Sequence, residues 1–122
     1  METPIDMKPR VSVIVPAFLG YESVAAALES WDAQTSRDQL ELIVLCPSKP
    51  VEGVSSQHTI LEIGDKLLNE ARAAGAHAAT ADFIMFAEDH CLPDPDCMER
   101  IIERVDEGWD GVGPALRPGE RG

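Results

Sequence analysis

Positive charge is in short supply in this chain. Ten Lys and Arg stand against 22 Asp and Glu over 122 residues, giving a formal net charge of -12 and a pI near 4.4. Nucleic-acid binding needs a basic face to neutralise phosphates, so that class is excluded, and an anionic membrane surface would repel the chain. Aromatics are only 5% of residues, so a core has to rest on Val, Ile, Leu and Ala. The three cysteines, Cys46, Cys91 and Cys97, make no paired framework and no CxxC, which suits a reducing cytosol. No apolar run approaches the ~20 residues that cross a bilayer. The opening Met-Glu-Thr-Pro-Ile-Asp has neither the basic nor the apolar segment of a signal peptide, so a soluble, cytoplasmic protein is expected. Neither GxGxxG nor GxxxxGK[ST] occurs, which removes the commonest phosphate-cradling loops.

What is present is an alternation of apolar runs and helical patterns. After a polar lead-in at 1–10, Val11 to Val15 is a β-branched strand ended by Pro16. Val24, Leu28 and Trp31 recur at helical spacing in a helix expected from about Tyr21 to Ala33. Leu40 to Leu45 reads as a second strand, and Thr59 to Ile63 as a short third one at a sheet edge. Asp65 is expected to cap a helix running to about Ala79, with Leu67, Leu68, Ala71, Ala74 and Ala78 inward. Phe83 to Phe86 is the fourth strand. Asp94, with Pro95 at the first helical position, opens a helix to about Glu107 that turns Met98, Ile101, Ile102 and Val105 inward. Gly111 to Leu116 reads as a fifth strand and 117–122 as a tail.

Strands alternating with helices imply an α/β fold, with a mostly parallel sheet of about four to five strands flanked by helices on both faces. The strands are nearly all apolar, as expected where both faces are covered. With the first strand central, its loop lies beside the loop after the fourth. Phe18 and Glu88-Asp89-His90 then meet at the carboxyl edge, where open α/β sheets build binding sites.

Three adjacent carboxylate and imidazole side chains either hold a divalent cation and orient a diphosphate, or merely cap a strand as a polar turn. His90 suits Mn²⁺ better than Mg²⁺. Phe18 either stacks on a nucleobase or plugs the core, and Arg72 either makes a surface ion pair or faces a phosphate. Cys91 and Cys97 read as small, partly buried side chains, and His58 and His77 as solvated.

Taken in order, several segments resemble the inverting family 2 glycosyltransferases of the GT-A fold. Val11-Ser12-Val13-Ile14-Val15-Pro16-Ala17-Phe18 is similar to their opening strand and turn, and the Ala33-Gln34-Thr35 ending to the close of their first helix. Ala71-Arg72-Ala73-Ala74-Gly75 and Ala81-Asp82-Phe83-Ile84 are similar to the helix and strand before their Asp-x-Asp motif. Glu88-Asp89-His90 occupies that motif's place, with Leu92-Pro93-Asp94-Pro95 after it. The resemblance covers about residues 11–116. It implies a nucleotide-sugar donor (a UDP-sugar first of all), a divalent cation (Mn²⁺ or Mg²⁺), and glycosyl transfer to an acceptor hydroxyl, of hexosyltransferase type. It assigns donor contacts to Pro16, Phe18, Arg72, Glu88 and Asp89, and metal ligation to Glu88, Asp89 and His90.

The chain also departs from that pattern. Cys46-Pro47 stands where acidic residues usually follow the second strand, Leu19 where an Asn follows the aromatic, and His90 where a second acid is usual. The acceptor half and catalytic base of the family are expected to be absent, so no catalytic residue is assigned. A non-catalytic α/β binding module is the alternative, and self-association is the expected way to cover a truncated sheet edge.

Overall fold

A computed structural model of the protein describes residues 8–113. Its sheet has four strands, all parallel: β1 (Val11–Pro16), β2 (Leu40–Cys46), β3 (His58–Glu62) and β4 (Phe83–Phe86), in the order β3-β2-β1-β4. The expected α/β architecture with β1 central is therefore the observed one. A 3-10 turn at Tyr21–Val24 leads into α1 (Ala25–Asp32); α2 (Leu68–Ala78) joins β3 to β4, and α3 (Cys97–Asp106) follows β4.

Period-two alternation divides the core between the two faces of the sheet. Val11, Val13, Val15, Leu42, Val44 and Cys46 pack with Val24, Leu28 and Trp31 of the first helical segment and Met98 and Ile102 of α3. Ile14, Ile43, Leu45 and Ile63 pack with Ala71 of α2 on the opposite face. Helices thus lie on both faces, and β1 and β2 are buried along their whole length except for partly exposed Glu41. Ser12 is fully buried and makes use of its polarity. Its Oγ donates to Glu41 Oε1 at 2.7 Å and accepts from Ala81 N at 3.1 Å, while Thr80 N donates to the same Glu41 oxygen at 2.9 Å. The turn that delivers β4 is thereby tied to β1 and β2.

Four local expectations are corrected. First, α2 starts at Leu68, not after an Asp65 cap, and Leu67 is 73% exposed. The reason is that the ladder outlasts β3: Ile63 N donates to Cys46 O and Gly64 N to Pro47 O. The helix therefore starts later and turns Ala71 and Gly75 inward, not Leu67, Leu68 and Ala78. Second, α3 starts at Cys97 with Asp96 at the N-cap position, because Cys97 N first closes a turn on Asp94 O. Third, β4 is not covered on both faces: Ile84 and Phe86, in register with Ser12 and Ile14 on the α2 side, are 41% and 50% exposed. Fourth, Gly111 to Gly113 form no strand, and the remainder of the expected fifth strand lies outside the described residues.

Cys46 closes β2 with no exposed surface, and burial pushes its thiol pKa up. A thiol reagent added to native protein is expected to leave Cys46 untouched until denaturant is present, since the thiolate is the reactive species. Mass spectrometry of the labelled peptides measures this, and native labelling at Cys46 would contradict its placement in the core.

Candidate functional site

The carboxyl edge of the sheet is extended past the strands by single bonds. Ala17 N donates to Leu45 O at 2.8 Å and Ala87 N to Ile14 O at 2.9 Å, which fixes the turns after β1 and β4 side by side. The turn after β1 needs a left-handed residue, and Gly20 supplies it at φ 105°. Pro16 is buried and shapes this turn from beneath, while Phe18 is 39% exposed. That exposure removes the reading of Phe18 as a core plug. Leu19, where the family's Asn is usual, is 91% exposed.

After β4, Glu88, Asp89 and His90 are all exposed, and their ligand-type atoms lie within 4.8 Å of one another. His90 Nδ1 and Asp89 Oδ1 are 2.7 Å apart. The hydrogen bond to Asp89, followed by its charge, raises the His90 pKa above the ordinary histidine value. Arg72, one turn before Gly75 on α2, reaches Glu88 Oε1 with Nη2 at 3.5 Å and lays its guanidinium 5.8 Å from the Phe86 ring centroid. Its Nε is buried without a protein partner. Arg72, Glu88, Asp89 and His90 therefore form one group, next to the turn carrying Pro16 and Phe18.

The donor set suits a hard divalent cation. Ligands on opposite sides of an ion with ~2.1 Å bonds stand about 4.2 Å apart. At most one pair among three ligands stands opposite and the others sit about 3 Å apart, so exposed side chains whose ligand atoms lie within 4.8 Å of one another have to draw together by up to about 2 Å. Two carboxylates supply hard oxygens and His90 a nitrogen compatible with manganese.

Two clefts lie elsewhere. One of about 640 Å³ runs between the Leu19–Glu22 turn and the loop containing Ser48, Pro50, Glu52 and Gly53, with His58 in its wall. A second, of about 500 Å³, is lined by the same loop and by His58, Thr59 and Ile60 of β3. Neither is lined by the acidic turn, which is an open ledge and not a pocket.

A protein-family model described as glycosyl transferase family 2 matches residues 60–120, half of the chain, from β3 through α3 and beyond. The chain belongs to glycosyl transferase family 2. The matched half carries Arg72 and Glu88-Asp89-His90. The first half is covered by likeness of fold: S. aureus TarS superposes with a TM-score of 0.63 at 16% identity over 87% of this chain. That superposition takes in 23% of the TarS chain, so this family 2 domain spans under a quarter of that structure. No curated protein sequence matches it. The GT-A-type fold expected from the sequence is shared with this neighbour.

Two features of this family 2 domain escape a residue-by-residue search for chemistry. His58, expected to be solvated, has a side chain only 4% exposed and bridges Tyr21 and Asp32. Gln34, quoted only as part of an Ala-Gln-Thr ending, is buried and bonded to the segment after the acidic turn. The motif itself was the signal for Gln34. For His58 the sequence offered none, since its partners lie 37 and 26 positions away.

Proposed function

We propose that this chain binds the nucleoside-diphosphate portion of a nucleotide-sugar donor, with a divalent cation, as the donor-binding unit (about residues 11–116) of a family 2 glycosyltransferase. The observation carrying this reading is the convergence of Arg72, Glu88, Asp89 and His90 on one sheet edge beside Phe18. Without cationic help, a donor diphosphate would be repelled by a chain of charge -12.

Each residue then has a defined task. Asp89 and Glu88 supply carboxylate oxygens, and His90 a neutral nitrogen once its proton shared with Asp89 is lost. Arg72, held against Phe86, presents its guanidinium to phosphate oxygens when Glu88 turns to the cation. Phe18 offers an exposed ring face to the base. A bound divalent cation would supply charge neutralisation for the departing nucleoside diphosphate. Transfer with inversion needs a base to deprotonate the acceptor hydroxyl, and none is assigned among the described residues.

Calorimetric titration with MnCl₂, then with UDP-glucose and UDP-N-acetylglucosamine, tests this reading. Binding of the UDP-sugar is expected only in the presence of Mn²⁺. A Glu88→Ala, Asp89→Ala double variant is expected to lose at least about tenfold in Mn²⁺ affinity, with stability within about 0.5 kcal/mol of wild type, as for other exposed positions. A panel of common nucleotide sugars that all fail to bind would sink the proposal.

A second reading, a binding module without transferase activity, draws on the pairing already inside the cluster. Arg72 pairs with Glu88 and His90 with Asp89, so both carboxylates have partners with no ligand bound. Cys46-Pro47 at the end of β2 also departs from the acidic pattern of the family. An unchanged Mn²⁺ affinity in the double variant would favour this reading.

A further inference from the structure

The segment that carries the acidic turn has little internal structure. From Ala87 to Asp96 it is neither helix nor strand, and Glu88, Asp89 and His90 are all exposed. Its upstream end is held by Ala87 N donating to Ile14 O. Its downstream end is held by Gln34 and Thr35, the second and third residues after α1. Gln34 is 4% exposed. Its Nε2 donates to Asp94 O at 2.7 Å and, more weakly, to Ser30 O at 3.3 Å, and its Oε1 accepts from Met98 N at 2.9 Å. Thr35 N adds a bond to Pro95 O at 2.8 Å.

The bond to Met98 stands in for a missing local cap. Asp96 sits at the N-cap position of α3, yet its side chain makes no capping bond and pairs with Arg100 at 2.8 Å. Met98 is the second residue of α3 and is fully buried, so water cannot take its N–H if Gln34 is lost. The amide is also chemically selected. A carboxylate at position 34 would face two carbonyl oxygens with no hydrogen to offer, and an apolar side chain would satisfy none of the three partners.

We propose that Gln34 is a positioning residue: it caps α3 from another element and sets the downstream anchor of the segment bearing Glu88, Asp89 and His90. The link from anchor to ligand atoms rests on the donor-site reading above; the anchor itself does not. With both ends fixed, only residues 88–93 span the gap, so the three side chains are held near one another before any ligand arrives. Releasing one end lengthens the free segment and makes a ligand pay for ordering it.

The test compares wild type with Gln34→Met, similar in length but without hydrogen bonds, and with Gln34→Glu, which keeps the acceptor and loses both donors. Amide hydrogen exchange reads the anchor, and titration with MnCl₂ alone reads the ligand cluster. In Gln34→Met, exchange across 88–98 is expected to rise about tenfold or more while β1 and β2 amides keep their protection, and Mn²⁺ binding is expected to weaken several-fold. In Gln34→Glu, Met98 is expected to stay protected while residues 91–95 exchange faster, a division that a general packing role would not produce. If Gln34→Met does not fold, Gln34→Glu alone decides. A uniform rise along the whole chain, or unchanged exchange at 88–98, would overturn the proposal. If wild type binds no Mn²⁺, the donor-site reading fails, and the exchange pattern still decides the role of Gln34.

Discussion

A Gly75→Val variant is expected to lose about 3 kcal/mol of unfolding free energy, read as a lower midpoint in urea at unchanged slope. Gly75 is buried in the middle of α2 with an ordinary helical backbone, so conformational freedom does not explain a glycine there. Space does. A Cβ at this position would lie 2.9 Å from Ile14 Cγ2, 3.2 Å from Ile14 Cδ1 and 3.2 Å from Leu45 Cδ2. Ile14 and Leu45 are 1% and 0% exposed and sit in the sheet, so they cannot swing away. The helix would have to lift. Gly75→Ala is the control: replacing glycine gains up to about 1 kcal/mol of helix propensity, offsetting part of the clash, and the variant is expected to fall between wild type and valine. Because Arg72 lies one turn away, lifting α2 also withdraws its guanidinium from Glu88. A valine variant as stable as wild type would show that α2 does not approach the sheet so closely.

That close approach was half legible in the sequence. The small-residue stretch Ala71-Arg72-Ala73-Ala74-Gly75 announces a helix that comes near a sheet, and the apolar runs announce β1, β2 and β4 directly. A central β1 follows from alternation and connection rules, and with it the meeting of Phe18 and Glu88-Asp89-His90 at one edge. What sequence patterns misplace is the phase of a helix at its ends. Ladder bonds from Ile63 and Gly64, followed by a turn that Lys66 N closes on Ile63 O, hold Asp65 and Lys66 out of α2, so the inward set shifts from Leu67 and Leu68 to Ala71 and Gly75. The same holds at α3, where the acceptor for Met98 N comes from Gln34, 64 positions away in the chain. The apolar character of β4 also misleads: Ile84 and Phe86 look like core residues, yet they stay 41% and 50% exposed because α2 packs over β1 and β2 and covers the β4 edge only in part. Tertiary partners decide these points, and they are invisible to local periodicity.

The His58 network is the furthest from local reading, and it supports the second large prediction. Asp32→Ala is expected to cost about 2–3 kcal/mol, or a fall in Tm on the order of 10 °C for a domain of this size. Ser55 N donates to Tyr21 Oη at 3.2 Å, which leaves the hydroxyl proton free to point at His58 Nδ1, 2.6 Å away. Nε2–H then donates to Asp32 Oδ2 at 2.8 Å, and Arg37 Nε donates to Asp32 Oδ1 at 2.9 Å. One tautomer of a neutral imidazole satisfies every group in the chain. Removing Asp32 strands an N–H on a ring that is only 4% exposed. Arg37 is less affected, since it keeps Leu40 O and Gln57 O as acceptors. Asp32 itself is 32% exposed, so the loss stays below that of a fully buried pair. Tyr21→Phe is expected to cost about 1–2 kcal/mol from the opposite end, by unpairing Ser55 N and Nδ1. The double variant should cost less than the sum by at least about 0.5 kcal/mol, because both changes disable one network. Thermal and urea unfolding of the three variants measures the cycle. An Asp32→Ala variant within about 0.5 kcal/mol of wild type would reduce the network to a surface ion pair, leaving the loop before β3 to be held by the bonds of Arg37 to Gln57 O and of Ser55 N to Tyr21.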